Sequence, residues 1–368
     1  MQSNAANKEI RSLTGIRGLA ALIVAIHHFI SKYYIDYFEK QASDSLLGYM
    51  RFNYANHGYL MVELFFILSG FVLALSYDKR FGNAVTNLDY KRFMIKRFNR
   101  VYPLYFFSTI IYFFVFNLDK INRPEILVAN LLFFELWLPK SFTLNNVSWS
   151  LCTEWFLYII FPFILISTKH FREKPVFLIL LATVIFILAP ILNTQKLYDQ
   201  HVNYSMLELR MSNGTGAFLR CLGSYIVGLA IYYVYIYRKE YVKLSGKYWY
   251  IIIGCILIFY GIDRSDILLN ILFGLLILAL TQSNKLSDFF GSRILYFLGM
   301  ISYSIYLNHM IFLRILNFSF KKDMWIENEF NVFIGLLLFL LMTILSSWVS
   351  FRLVEAPFNS WLNKRIAK

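Results

Sequence analysis

An arginine and a histidine eleven positions apart, Arg17 and His28, interrupt an apolar run that reads TGIRGLAALIVAIHHFISKYY over residues 14–34. At about 100° per residue, eleven positions return to the same helical face roughly 16 Å further along. One face therefore carries a fixed cation and, deeper, a proton acceptor. Ionisable groups within an apolar span cost about 3 kcal/mol or more, and they are kept where they face a protein interior or a water-filled cavity. A neutral imidazole in such a place can take the proton of a hydroxyl and turn its oxygen into a nucleophile.

Other reactive groups recur in the same setting. Glu63 lies in GYLMVELFFILSGFVLAL and Glu154 in NNVSWSLCTEWFLYIIFP, and a carboxylate in either place needs a cation or a donor. In YFLGMISYSIYLNHMIFLR, the intervals of seven and three put Ser302, Tyr306 and His309 on nearly one helical face. KRFMIKRFNRVYP sets Arg97 and Arg100 one turn apart just before a span. Two guanidiniums on one face suit phosphoryl oxygens, which accept paired hydrogen bonds. A basic cluster at a cytoplasmic face also serves as a topology signal or a lipid-headgroup contact. By helical rise, Arg17, Arg97 and Arg100 belong at an inner mouth, while His28, His309, Glu63 and Glu154 belong in the outer half.

Several neighbours have plainer readings. Ser69 and Gly70 permit close helix packing. Trp149 and Trp155 suit interfacial anchors. Arg352 and Glu355, three apart, are placed to pair at the end of the last span. His57, His170 and His201 carry no specific signal.

These groups need elements to position them, and the composition says which kind. The chain has 368 residues, of which 58% are hydrophobic and only 16% charged. That excludes an ordinary soluble domain. Apolar runs separated by short polar connectors predict an all-α integral membrane protein with about ten transmembrane helices. They fall near 14–34, 58–77, 101–117, 149–168, 175–192, 214–237, 248–262, 266–281, 294–317 and 330–354. The run 126–138 is too short to cross and reads as one re-entrant or interfacial helix.

Ten crossings place both termini in the cytoplasm together with more than half of the 36 basic residues. The formal charge of +14 is then a topology signal, and nucleic acid is not expected as a partner. Cys152, Cys221 and Cys255 lack paired spacing, so neither a disulfide framework nor a metal site is expected. The first run, interrupted by Arg17 and the histidines, reads as a retained span and not a signal peptide. No linker or repeat divides the chain, and a single transmembrane domain over 1–368 without an appended soluble domain is expected.

Taken in order, the motifs resemble the acyltransferase-3 family of multi-pass bacterial inner-membrane proteins, which pass acyl groups, usually acetyl, onto surface sugars. The family's arginine, ten intervening residues and histidine match Arg17 and His28. Its acidic residue, two phenylalanines and Ser-Gly-Phe match Glu63, Phe65, Phe66, Ser69, Gly70 and Phe71, although aspartate is commoner where Glu63 stands. Arg-x-x-Arg before a proline matches Arg97 and Arg100. Trp-Ser-Leu with a following glutamate matches Trp149, Ser150, Leu151 and Glu154, with Trp155 where a second acidic residue is often found. Tyr-Ser-x-Tyr-Leu-x-His matches Tyr303 through His309, and Glu-x-Pro matches Glu355 and Pro357.

The resemblance implies an O-acyltransferase that uses acetyl-CoA, or another short acyl-CoA, as a donor substrate and holds no permanent cofactor. It implies a cell-surface or lipid-linked carbohydrate acceptor, a bacterial inner-membrane location and contact with membrane lipids. The expected arrangement keeps the anionic nucleotide against Arg97, Arg100 and Arg17, with the uncharged pantetheine arm reaching along an open passage to His28. His28 is the expected general base, oriented by Glu63 or Glu154. Ser302, Tyr306 and His309 are expected to contact the acceptor or a developing oxyanion. A covalent acyl-histidine is the other route open to His28. The rival functions are a transporter or flippase for a lipid-linked or acylated molecule, and a structural membrane scaffold. The sequence leaves open the acceptor sugar, the identity of the short acyl group and the oligomeric state.

Overall fold

Small residues decide how the first span packs. Gly15, Gly18, Ala21 and Ala25 line one side of a helix, and all are buried. The computed structural model describes residues 10–34, 45–81, 84–192, 207, 214–319 and 329–366; His201 lies outside them.

The chain runs through α1 (Arg11–Tyr33), α2 (Leu46–Asn56), α3 (Leu60–Phe81) and α4 (Asn87–Ile111), the last continued by a wide turn over Tyr112–Phe116. It goes on with α5 (Pro124–Leu131), α6 (Ser148–Ser167), α7 (Val176–Ile191), α8 (Gly214–Tyr237), α9 (Lys239–Lys247) and α10 (Trp249–Tyr260). Then follow α11 (Asp266–Leu280), α12 (Lys285–Phe290), α13 (Arg293–Met300), α14 (Ser302–Ser319), α15 (Glu329–Ser350) and α16 (Ala356–Ile366). Among the described residues every regular element is helical.

By length and composition, five helices are apolar enough to cross a membrane, or up to seven if each of two bent pairs is one span. This describes a multi-pass helical membrane protein. Each of the ten expected segments falls on helical residues, but α7, α10 and α11 are shorter than a full crossing, with 16, 12 and 15 residues, and α10 meets α9 at 72°.

The run 126–138 forms no crossing helix. α5 ends after eight residues, and Phe133 turns the chain with φ of 59°, unusual for a bulky side chain. Stacking of Phe133 on Tyr105, with ring centroids 4.4 Å apart, holds that turn. Tyr105 also donates hydrogen bonds to Asn130 O at 2.8 Å and to Glu135 at 3.1 Å.

Residues 294–317, expected as one straight span, are broken. α13 and α14 meet at 70°, with Ile301 at φ −95° and ψ 8° between them. Packing explains the break. A Cβ on Gly18 would come within 2.5 Å of Gly299 N, so α1 and α13 touch backbone to backbone, and Gly299 in turn lies against Thr14. α13 is thus held flat on α1 while α14 turns away to run beside α1, α4 and α15.

The Ser69–Gly70 pair does permit close packing. Gly70 lies on the Tyr225 carbonyl and on Gly228 of α8, and Gly228 lies on Ile67. The expected Arg352–Glu355 pair is not formed. A wide turn over Phe351–Glu355 breaks the helical register after α15. Glu355 is buried and accepts a hydrogen bond from Ser304, while Arg352 is exposed with its guanidinium over Trp348.

Candidate active site

Helices α1, α3, α4, α6 and α14 surround a cavity of about 400 Å³. Arg17 reaches it from α1, Arg97 and Arg100 from α4, Glu154 from α6, and Ser302 and Tyr306 from α14. α4 starts at Asn87, so Arg97 stands roughly 15 Å along it, half-buried on the cavity wall. The Arg97 guanidinium is packed among the rings of Tyr77, Phe93 and Tyr158, each 5.8 Å away. Such packing fixes a cation without neutralising it.

Among the described residues lining the cavity, three guanidiniums face one carboxylate, Glu154, which accepts a hydrogen bond from Tyr158. The wall therefore carries surplus positive charge. Two buried polar atoms on it, Arg97 Nε and Ser302 Oγ, have no hydrogen-bond partner in the protein. Buried polar groups are normally satisfied, so both are open to a ligand.

The histidines form a second centre. His28 Nδ1 lies 3.2 Å from His309 Nε2, with ring centroids 5.1 Å apart. Each ring is also tied to the carbonyl one turn back on its own helix, His28 Nδ1 to Val24 O at 3.0 Å and His309 Nδ1 to Ile305 O at 3.1 Å. His309 is fully buried and His28 partly so. His27, beside it, is turned to Ala55 O at 2.9 Å. The break at Ile301 is what lets α14 bring His309 to α1.

Tyr306 stands between the two centres. Its hydroxyl lies 2.7 Å from Ser150 Oγ and 3.3 Å from Val147 O, and its ring is 6.0 Å from that of His309. Neither His28 nor His309 lines the cavity that holds Arg17. The expected open passage from Arg17 to His28 is not found: the cavity takes in Tyr306 but neither histidine.

The carboxylates do not orient His28, as expected of one of them, but have other partners. Glu154 shares the cavity of the arginines. Glu63 is fully buried and ion-paired with Arg220 of α8 at 2.6 Å. It also accepts from Ser224, which in turn accepts from Asn270 Nδ2 at 2.8 Å. The Arg220 guanidinium lies 4.9 Å above the Trp149 ring. Glu63 thus joins α3, α6, α8 and α11, and neither it nor Glu154 is hydrogen-bonded to His28. The reason is charge: a buried carboxylate is held by a cation before it is spared for a neutral ring. Arg220 was legible as a lone arginine within the apolar run 214–237, but its partner was not. Ser150 lay inside the Trp-Ser-Leu motif without a role until the fold set it against Tyr306.

Comparison with known proteins adds the family. The family model described as an acyltransferase domain matches residues 10–352. Among relatives, the chain is 33% identical over 160 residues to an acyltransferase, MdmB, of Streptomyces mycarofaciens, covering 41% of this chain and 38% of that protein. It is 25% identical over 184 residues to a putative peptidoglycan O-acetyltransferase, YrhL, of Bacillus subtilis, covering 46% and 25%. It is 25% identical over 197 residues to the peptidoglycan O-acetyltransferase OatA of Listeria monocytogenes, covering 46% and 26%. The matched stretch spans about a quarter to two fifths of these relatives' own length. No solved structure matches. With the family model extending over nearly all of its length, and the motif residues gathered around one cavity and one histidine pair, this chain belongs to the acyltransferase-3 family.

Proposed function

We propose that this protein transfers an acyl group, acetyl above all, from a cytoplasmic acyl-CoA to a hydroxyl of a cell-surface or lipid-linked carbohydrate. The chain crosses a bacterial inner membrane ten times, with both termini in the cytoplasm. The observation that carries the reading is the cavity of Arg17, Arg97 and Arg100, whose surplus cations lie one tyrosine away from a pair of imidazoles. A carbohydrate acceptor is the reading that the names of the peptidoglycan O-acetyltransferase relatives favour. Family membership weighs against the transporter or flippase reading.

A nucleotide carrying several phosphates does not enter hydrocarbon, so its phosphates stay against the guanidiniums, which bind phosphoryl oxygens in pairs. The uncharged arm fills the cavity past Glu154 towards Ser302 and Tyr306. When Tyr306 moves off Ser150, the thioester reaches His28. His28 takes the proton of the acceptor hydroxyl as its oxygen bonds to the thioester carbonyl carbon. The Ser302 hydroxyl, without a protein partner, is free to donate to the oxyanion that forms. Breakage of the C–S bond releases the thiolate, which takes the proton back from His28. Acetyl ester and free CoA are the products.

The test is transfer of label from radioactive acetyl-CoA to glycan in membranes that contain the protein. Mass spectrometry of surface glycans from deleted and complemented cells then identifies the sugar. Glycans identical in both strains, with no label transferred, would sink the proposal.

A further inference from the structure

Two carbonyl oxygens settle where the hydrogens of the histidine pair lie. Carbonyls only accept, so the contacts of Val24 O with His28 Nδ1 at 3.0 Å and of Ile305 O with His309 Nδ1 at 3.1 Å each place a hydrogen on that nitrogen. A neutral imidazole carries one such hydrogen. His309 Nε2 is then a bare lone pair, and it lies 3.2 Å from His28 Nδ1. The His28 Nδ1–H is shared between two acceptors, one on its own helix and one on α14. His28 Nε2 is left unprotonated, and it has no hydrogen-bond partner among the described residues.

We propose that His309 is the positioning residue of His28, a neutral imidazole standing where a carboxylate stands in a Ser-His-Asp triad. The assignment rests on the acyl-transfer reading and names the part that neither Glu63 nor Glu154 is placed to play. His309 fixes the tautomer that exposes the Nε2 lone pair, and it fixes the ring plane. As the acceptor hydroxyl gives its proton to His28 Nε2, the ring becomes an imidazolium, and its Nδ1–H is stabilised by Val24 O and by His309 Nε2 together. The proton leaves again from Nε2 to the departing thiolate. His309 itself neither gains nor loses a proton.

The membrane setting gives a reason for an imidazole here. A carboxylate deep in an apolar bundle needs its own cation, as Glu63 has Arg220. A second imidazole supplies the acceptor with no net charge to bury. It is delivered by the 70° bend at Ile301, which brings together two residues 281 positions apart.

The test uses the full-length protein in membranes and compares His309→Ala with His309→Gln, whose side-chain carbonyl reaches close to the position of Nε2. We expect His309→Ala to lower kcat by about a hundredfold with little change in KM for acetyl-CoA. His309→Gln should recover about a tenth or more of the wild-type rate. A merely structural role predicts loss of folded protein in both variants and no rescue by glutamine, and that result overturns the proposal. Nitrogen-15 NMR of histidine-labelled protein gives a readout independent of turnover: His28 carries its hydrogen on Nδ1, and a hydrogen found on Nε2 overturns the assignment. Membranes that hold the protein yet transfer no acetyl group overturn the acyl-transfer reading and with it the base role. Turnover at the wild-type rate in His309→Ala overturns the positioning role alone.

Discussion

The hydroxyl of Tyr306 on α14 and that of Ser150 on α6 lie 2.7 Å apart in a hydrogen bond on the wall of the arginine cavity, and the Tyr306 ring is 6.0 Å from that of His309. Tyr306 thereby stands between the arginine cavity and the histidine pair. On the proposed acyl-transfer reading, this tyrosine would keep a thioester away from the base until it moves, limiting loss of acyl groups to water.

Removal of that hydrogen bond is expected to loosen this barrier and leave the ring in place. Tyr306→Phe should lower acetyl transfer by less than about tenfold, since one neutral hydrogen bond contributes about 1 kcal/mol. Hydrolysis of acetyl-CoA without acceptor should rise, measured as free thiol released in membranes. Hydrolysis unchanged in Tyr306→Phe would show that the tyrosine is no barrier.

Loss of the cavity's cations should act on donor binding. Replacing Arg97 or Arg100 with alanine removes charge-assisted hydrogen bonds of about 1.5–3 kcal/mol each. KM for acetyl-CoA is then expected to rise about ten- to a hundredfold, with kcat at saturation changed far less. An unaltered KM in the double variant would remove these arginines from the donor site.

His28→Ala should leave the protein in the membrane and lower transfer by about 10²- to 10⁴-fold. His27→Ala is the contrast, because His27 is turned to Ala55 O and away from the His309 pair; transfer near the wild-type level is expected. Equal losses in both variants would mean that the histidine pair is not the reacting centre.

Breaking the Glu63–Arg220 pair should unfold the bundle before it affects chemistry. Glu63→Ala leaves a buried guanidinium uncompensated, which costs about 3–5 kcal/mol, and thermal aggregation in detergent should begin at lower temperature. Glu63→Asp keeps the charge and should be milder. A Glu63→Ala protein as stable as the wild type but inactive would return Glu63 to the catalytic group.

At the start of α4, Asp89 is held below the ordinary aspartate value of 3.8, first by the Thr86 hydroxyl and then by Arg80. A depressed carboxyl contributes stability that is present above the ordinary value and is lost as pH falls through the depressed one. Amide protection in the first turn of α4 should therefore persist at neutral pH and fall in acid. In Asp89→Asn it should be weaker at neutral pH and nearly insensitive to acid, and hydrogen exchange by mass spectrometry reads both.

Local patterns already marked much of this protein in its amino-acid sequence. Apolar runs fell on helices throughout, because burial in lipid or protein demands side chains that are neighbours along the chain, but they did not show the bend at Ile301. The spacing from Arg17 to His28 and the motifs around Arg97, Glu154 and His309 named the family, because each is a feature of one helix. Tertiary structure decided who meets whom. Glu63 went to Arg220, 157 positions away, because a buried carboxylate takes the cation within reach. His28 went to His309, 281 positions away, because backbone contact between Gly18 and Gly299 holds α13 flat and forces the bend at Ile301. Glu154 joined the arginines, and Tyr306 came to rest on Ser150. Such pairings depend on the angles at which helices cross, and no periodicity within a single helix carries that information.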